Sequence, residues 1–162
     1  MLGVFALGCR AAVPSTPPHW PAMSVDAPPD PWSAAAVGFA NAQVGRSYCW
    51  GGTGPECFDC AGLVQAAWRW AGVQLPRTSR AQGQALVQVP PEALRPGDIL
   101  WWPGHVGLYV GGGEMVDAVG RRVGVVRRRA KPPARVLRVL PGAPRWPVGG
   151  ERNASIPGQS GV

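Results

Sequence analysis

Residues 104–118 read GHVGLYVGGGEMVDA, two runs of alternating side chains on either side of three glycines. Alternation with period two marks a half-buried strand, and a glycine cluster between two such runs marks a hairpin turn. His105, Gly107 and Tyr109 therefore share one face, and Val106, Leu108 and Val110 share the other, which belongs to the core. Pairing Val110 with Glu114 sets Asp117 opposite Gly107 and diagonal to His105. A register one step tighter sets Asp117 directly opposite His105. Both registers keep the carboxylate on the histidine face. The glycines on that face leave space beside the imidazole.

The same period extends outward from the hairpin. Asp98 to Trp102, Val123 to Arg129 and Arg135 to Leu140 bring the number of short strands to five. Gly/Pro turns separate them, which predicts an antiparallel sheet. Before Pro96-Gly97 the pattern is helical. Ser33 to Val44 is Ala-rich and free of Pro, with Ser33 as the expected N-cap and Gly45 as the stop. Arg46 to Phe58 (RSYCWGGTGPECF) has a strand-like start followed by a Gly/Pro loop. Asp59 suits the N-cap of a second helix, Cys60 to Ala71, which Gly72 ends. Leu63, Ala66, Ala67 and Trp70 give that helix a buried face. Thr78 to Leu86 forms one further short helix. Helices first and antiparallel strands second predict an α+β domain of two packed layers.

The 162 residues are room for one domain. Of the 19 prolines, seven precede Trp32 and six follow Lys131, so the middle of the chain is the part that folds. The expected division is a leader-like segment and Pro-rich linker over 1–31, a folded unit over 32–140, and a disordered tail over 141–162. Met1 to Gly8 (MLGVFALG) is apolar but lacks the basic start and the length of a secretory leader. No apolar run reaches the roughly eighteen residues of a membrane span. The net charge of +7 is local. Seven arginines and Lys131 lie between Arg121 and Arg138 with no acid among them, over two strands expected to be adjacent. Such a stripe is either a solvated strand face or a surface that holds an anionic polymer. The rest of the chain is close to neutral, and nucleic acid is not an expected partner.

Two places carry chemistry. If Asp59 caps its helix, Cys60 occupies the first turn, where unsatisfied N–H groups and the positive end of the dipole favour a thiolate. The alternative is a small buried thiol. His105 is one of two histidines and the other, His19, lies in the linker, so His105 is the folded candidate for a base. Asp117 on the same face suits an orienting carboxylate, which gives a nucleophile, a base and an orienter in a papain-like arrangement. Cys57 and Cys60 form a C-x-x-C, but no parallel βαβ pattern surrounds it. Cys49, Cys57, Cys60 and His105 lack a second close ligand pair for zinc. Gly51 to Gly54 lacks the Gly-Lys-Ser/Thr of a phosphate loop.

Tyr48-Cys49-Trp50-Gly51-Gly52, Phe58-Asp59-Cys60-Ala61-Gly62-Leu63-Val64, Leu75-Pro76-Arg77-Thr78-Ser79, Pro96-Gly97-Asp98-Ile99-Leu100 and His105 to Gly111 resemble, in order and spacing, the NlpC-type family of cell-wall cysteine peptidases. The resemblance covers roughly Ala36 to Leu140. It implies a papain-like fold, N-terminal helices on a five- to six-stranded antiparallel sheet. It also implies cleavage of peptidoglycan stem peptides, usually between D-γ-glutamyl and a diamino acid. On that pattern Cys60 is the nucleophile, His105 the base and Asp117 the orienter. Tyr48, Asp59, Arg77 and Ser79 are the implied substrate-binding residues. No cofactor and no metal are implied, and a monomer is expected. The implied setting is secreted or in a bacterial envelope, or a phage particle.

Two positions depart from the family. Ala61 stands where Ser usually follows the nucleophile, so one hydroxyl is lost. Asp117 stands where a second His usually lies twelve positions after the first. A non-catalytic peptidoglycan-binding module would be expected to lack Cys60 or His105, and both are present. A cysteine amidase cutting the sugar–peptide amide is the other alternative. An extracytoplasmic substrate further predicts a Cys49–Cys57 disulfide beside the active-site loop, against a Cys57–Cys60 bond that would switch the enzyme off.

Overall fold

The computed structural model describes residues 30–140. The expected linker up to residue 29 and the expected tail from residue 141 lie outside them.

Helix α1 spans Pro31–Ala42 and starts two residues before the expected Ser33. Asp30 is its cap: Oδ1 accepts from the Trp32 and Ser33 amides, both at 3.0 Å, and Oδ2 accepts from the Ser33 hydroxyl at 2.8 Å. Proline at the first helical position needs no N–H partner and has its φ already set, so Asp30-Pro31 is the stronger start signal and Ser33 falls inside the first turn. Helix α2 spans Cys60–Trp70, capped by Asp59 and ended at Ala71 before Gly72, whose φ of 86° is left-handed. Its buried face includes Leu63, Val64, Ala67 and Trp68, the last 3% exposed. Trp70, expected on the buried face, is 66% exposed and tilts against Phe39 instead. Helix α3 spans Ser79–Ala85, with Thr78 as its cap.

Strands β1 (Ser47–Tyr48) and β2 (Cys57–Phe58) form a short parallel pair leading into α2. The main sheet is antiparallel and has six strands: β3 (Val87–Val89), β4 (Ile99–Trp102), β5 (His105–Gly111), β6 (Glu114–Ala118), β7 (Val125–Arg129) and β8 (Arg135–Arg138). Their spatial order is β3-β8-β4-β5-β6-β7. β3 was not among the five strands read from the sequence. Three residues before Pro90-Pro91 are too few to show a period, and they become a strand by pairing with β8 at the sheet edge. The two Arg-bearing strands are not adjacent. After β7, at one edge, the chain crosses to place β8 between β3 and β4, so three strands separate the two.

One face of the sheet packs Ile99, Val106, Leu108, Val116, Val125 and Leu137 against the helices, where Ala36, Ala40, Leu63, Val64 and Ala67 meet them. The other face carries a smaller cluster of Leu94, Leu100, Tyr109, Met115 and Val136. In the β5–β6 hairpin Leu108 pairs with Val116 and Tyr109 with Met115, and the register then shifts so that Gly111, not Val110, faces Glu114. The extra residue is absorbed as a bulge next to a turn of three glycines with φ of 92°, 61° and 80°. The pairing beyond the bulge is the looser of the two expected registers and sets Gly107 against Asp117. A Cβ on Gly107 would lie 3.2 Å from the Asp117 Cβ and 3.3 Å from the Met115 sulfur. The space expected on the glycine-lined face is thus occupied, because Gly107 lets Asp117 close in.

Gly62, in the first turn of α2, is a place where only glycine fits. An added Cβ would run into the carbonyl oxygen of Gly52, the same oxygen that accepts from the Asp59 amide at 2.9 Å. The Gly-Gly loop and the helix start therefore meet backbone to backbone. Gly62→Ala is expected to destabilise the fold by about 1–3 kcal/mol through overpacking. Chemical denaturation of both proteins measures it, and an unchanged midpoint would contradict this packing.

Candidate active site

The site is built where the start of α2 meets the start of β5. Asp59 organises the first half. Its Oδ1 accepts from the Gly62 amide at 2.7 Å and from Arg77 Nη1 at 3.1 Å. Its Oδ2 accepts from the Gly51 amide at 3.0 Å and from Arg77 Nη2 at 2.6 Å. One carboxylate thus caps the helix, holds the Gly51 loop and pairs with Arg77. Cys49 and Cys57 are joined in a disulfide across a Cα–Cα distance of 5.6 Å, which pins the loop from its other end. That bond withdraws Cys57 from a redox pair with Cys60 and removes two of the ligands of a zinc site. Cys60 is the free cysteine of the described residues. As the first residue of α2 it sits where backbone N–H groups and the helix dipole face outward.

The second half is a type of corner that a Pro-Gly turn makes. Trp102 pairs with His105 across Pro103-Gly104, and Gly104 has a φ of 79°. His105 is therefore the first residue of β5, half-buried, with the Trp102 ring 5.8 Å from its own. Its Nε2 lies 2.7 Å from Asp117 Oδ2. The Cys60 side chain hydrogen-bonds to the same ring. With Nε2 facing Asp117, Nδ1 is the nitrogen left for the sulfur. Burial opposes charging of the ring, but the hydrogen bonds and negative charges of Asp117 and Cys60 override it, and the His105 pKa is raised from 6.5 to about 9. The ring is an imidazolium at neutral pH.

Asp117 has no exposed surface. Burial alone would raise its pKa, but the hydrogen bonds from His105 and Arg128 hold it below its ordinary 3.8. Arg128 was not recognised from the sequence as part of the site. Its Nε donates to Asp117 Oδ1 at 2.9 Å and its Nη2 to Oδ2 at 2.5 Å, a two-pronged grip. The β6–β7 pairing sets Val126 opposite Asp117 and Arg128 opposite Met115, so Arg128 reaches the carboxylate diagonally on the same face. A signal for it existed, since a buried carboxylate needs a second donor. The register that selects Arg128 over Arg127 or Arg129 is set by the turn between β6 and β7, where Val119 donates to the Gly124 carbonyl.

The other members of the expected stripe disperse. Arg127 pairs with Glu114, its Nη2 2.6 Å from Oε2. Arg138 pairs with Asp98 at 2.7 Å. Arg135 lies 4.0 Å over the Trp101 ring and donates to the Gly83 carbonyl at 3.0 Å. With Arg128 on Asp117, half of the eight cations are committed internally. Arg121, Arg122, Arg129 and Lys131 are exposed.

The remaining expected site residues are placed as follows. Tyr48 is half-buried on β1, and burial together with the nearby Cys60 and Asp59 raises its hydroxyl pKa, while Arg121 acts the other way. The phenol is therefore neutral. Arg77 keeps about a third of its side chain in solvent while it pairs with Asp59. Ser79 opens α3, half-buried, with its carbonyl accepting from Trp101 Nε1 at 2.8 Å. Ala61 is buried in the core, and its carbonyl accepts from Gln82, which ties α3 to the start of α2.

Residues 45–137 match the model of the NlpC/P60 family. The probable endopeptidase p60 of Listeria innocua is 37% identical over 89 residues, which is 52% of this chain and 19% of that protein. A probable endopeptidase of Mycobacterium tuberculosis is 42% identical over 87 residues, 52% of this chain and 23% of that protein. The match thus spans about a fifth of the length of these relatives. Among solved structures, the peptidoglycan hydrolase RipB of Mycobacterium tuberculosis superposes with a TM-score of 0.60 at 32% identity, covering 68% of this chain and 65% of that one. An NlpC/P60 family protein of Bacillus cereus superposes with a TM-score of 0.65 at 27% identity, covering 70% and 42%. With more than half of its length matched and the papain-like layout present, the chain belongs to the NlpC/P60 family.

Proposed function

We propose that this domain is a cysteine peptidase that hydrolyses peptidoglycan stem peptides at the bond between D-γ-glutamyl and a diamino acid. The observation that carries the reading is the chain of contacts from a free cysteine at a capped helix start to His105 and on to a buried Asp117. The cell-wall hydrolases among its structural neighbours support the substrate class. That substrate implies a secreted or envelope setting, and no helix among the described residues is long and apolar enough to cross a membrane.

In this mechanism the Cys60 sulfur attacks the γ-glutamyl carbonyl and the carbonyl π electrons move onto oxygen. The first N–H groups of α2, with the neutral Tyr48 hydroxyl, donate to that oxyanion. His105 gives its proton to the leaving amine as the C–N bond breaks, leaving a thioester on Cys60. The neutral ring then takes a proton from water, whose oxygen attacks the thioester and releases the free carboxylate and the thiol. Asp117 holds the ring with Nε2 toward itself and stabilises the charged form. A contiguous basic stripe is not available to hold wall polymer. Attachment of that kind falls to Arg121, Arg122, Arg129 and Lys131, and salt would screen it.

Incubation with a defined muropeptide followed by mass spectrometry tests the reading. Fragments cut at the γ-glutamyl bond are expected. Release of intact stem peptide from the sugar would assign an amidase, and no cleavage of any stem peptide would leave a binding module. Cys60→Ala is expected to abolish turnover, and His105→Ala to lower it by about 10²–10⁴-fold. Asp117→Asn is expected to lower the rate while leaving measurable activity, since Asp117 acts on the ring and not on the reacting atoms. Full turnover in either of the first two variants would refute the assignment. Because the ring must be protonated to release the amine, activity should hold through neutral pH and fall as pH rises through about 9. A fall centred near the ordinary 6.5 would show that the Asp117 and Cys60 contacts do not govern the ring.

A further inference from the structure

Asp117 is held between two cations. Its Oδ2 receives both His105 at 2.7 Å and Arg128 at 2.5 Å, and Arg128 also takes Oδ1 at 2.9 Å. The carboxylate has no exposed surface, so neither interaction is diluted by water. Opposite Asp117 on β5 stands Gly107, which brings no side chain to compete. The groups that face the His105 ring are few. Asp117 comes from β6, Arg128 from β7 through that carboxylate, and Cys60 from α2. β4 offers the uncharged Trp102 ring. Tyr48 of β1 feels the charges of Cys60, Asp59 and Arg121 of the β6–β7 turn.

We propose that Arg128 is a positioning residue of this site, whose fork fixes the Asp117 carboxylate against His105 and draws off part of the negative charge that the ring would otherwise face alone. The proposal rests on the reading of Cys60 and His105 as nucleophile and base. A carboxylate buried with imidazolium as its one partner would be free to rotate about its side-chain torsions. It would also grip the ring proton more tightly, which makes the ring a poorer acid toward the leaving amine. Arg128 corrects both. Its planar fork fills two lone-pair directions of the carboxylate, and its charge opposes that of the ring. Lysine keeps the charge and loses the fork, while glutamine and methionine lose the charge.

The test follows the His105 ring resonance by NMR against pH in the parent and in Arg128→Met, Arg128→Gln and Arg128→Lys, together with kcat and KM on a defined muropeptide. In the neutral variants the ring midpoint is expected to rise by about one pH unit, as removal of a nearby like charge requires. kcat at pH 7 should fall about tenfold with KM unchanged, since Arg128 touches Asp117 and not substrate. In Arg128→Lys the midpoint should stay within about 0.3 unit of the parent while kcat falls. Arg128→Gln offers the buried carboxylate a neutral donor and serves if Arg128→Met does not fold. An unmoved or lowered midpoint in a folded neutral variant would overturn the proposal, as would an unchanged kcat in Arg128→Lys. If the parent cleaves no stem peptide the peptidase reading fails, and the ring titration still decides the role of Arg128.

Discussion

The Asp59 carboxylate is the constraint on which this site depends. It caps α2, accepts from the Gly51 amide and pairs with Arg77, all with two oxygens. Each contact fixes a different element relative to Cys60. The cap sets where the helix begins and so turns Cys60 outward on its first turn. The Gly51 contact draws the disulfide loop over the helix start, where Gly52 and Gly62 touch backbone to backbone. The Arg77 pair fastens the segment that leads into α3. Asp59 and Arg77 were expected to meet substrate. The structure shows them paired with each other and holding the frame, with 36% of the Arg77 side chain and 13% of the Asp59 side chain in solvent.

The sheet supplies the other half by a different device. The Pro-Gly turn starts β5 with His105, and the hairpin register brings Asp117 to the same face. Gly107 allows the approach and Arg128 completes it from the neighbouring strand. The chain of contacts Cys60–His105–Asp117–Arg128 thus runs from a helix start across three adjacent strands. Its Asp117 carboxylate is fully buried, and Cys60, His105 and Arg128 are half-buried. This layout lets an imidazolium persist at neutral pH although burial of the ring opposes its charge.

Features fixed by a few consecutive residues were legible in the sequence. Asp59 followed by an apolar helical run, alternation around Gly111-Gly112-Gly113, and the parity that sets His105 and Asp117 on one face are local, and the structure has them. The Cys49–Cys57 bond also stands. Features decided by distant pairing were not legible. β3 exists because β8 lies beside it. The basic stripe dissolves because the chain crosses three strands between β7 and β8, and because Glu114, Asp98, Asp117 and Trp101 each claim one of its arginines. Arg128 was hidden for the same reason, since its partner is chosen by a register that one turn sets. Trp70 was misplaced because helical spacing gives the width of an apolar arc but not which edge of it the core covers.

The central claim is that Cys60 and His105 act as one reactive pair. Alkylation of the intact protein by iodoacetamide at neutral pH, with the modified residue located by peptide mapping, tests it most directly. One equivalent should attach at Cys60 in step with loss of activity, and His105→Ala should react at least about tenfold more slowly, because its sulfur lacks the activating partner. Equal rates in the parent and in His105→Ala would contradict the account.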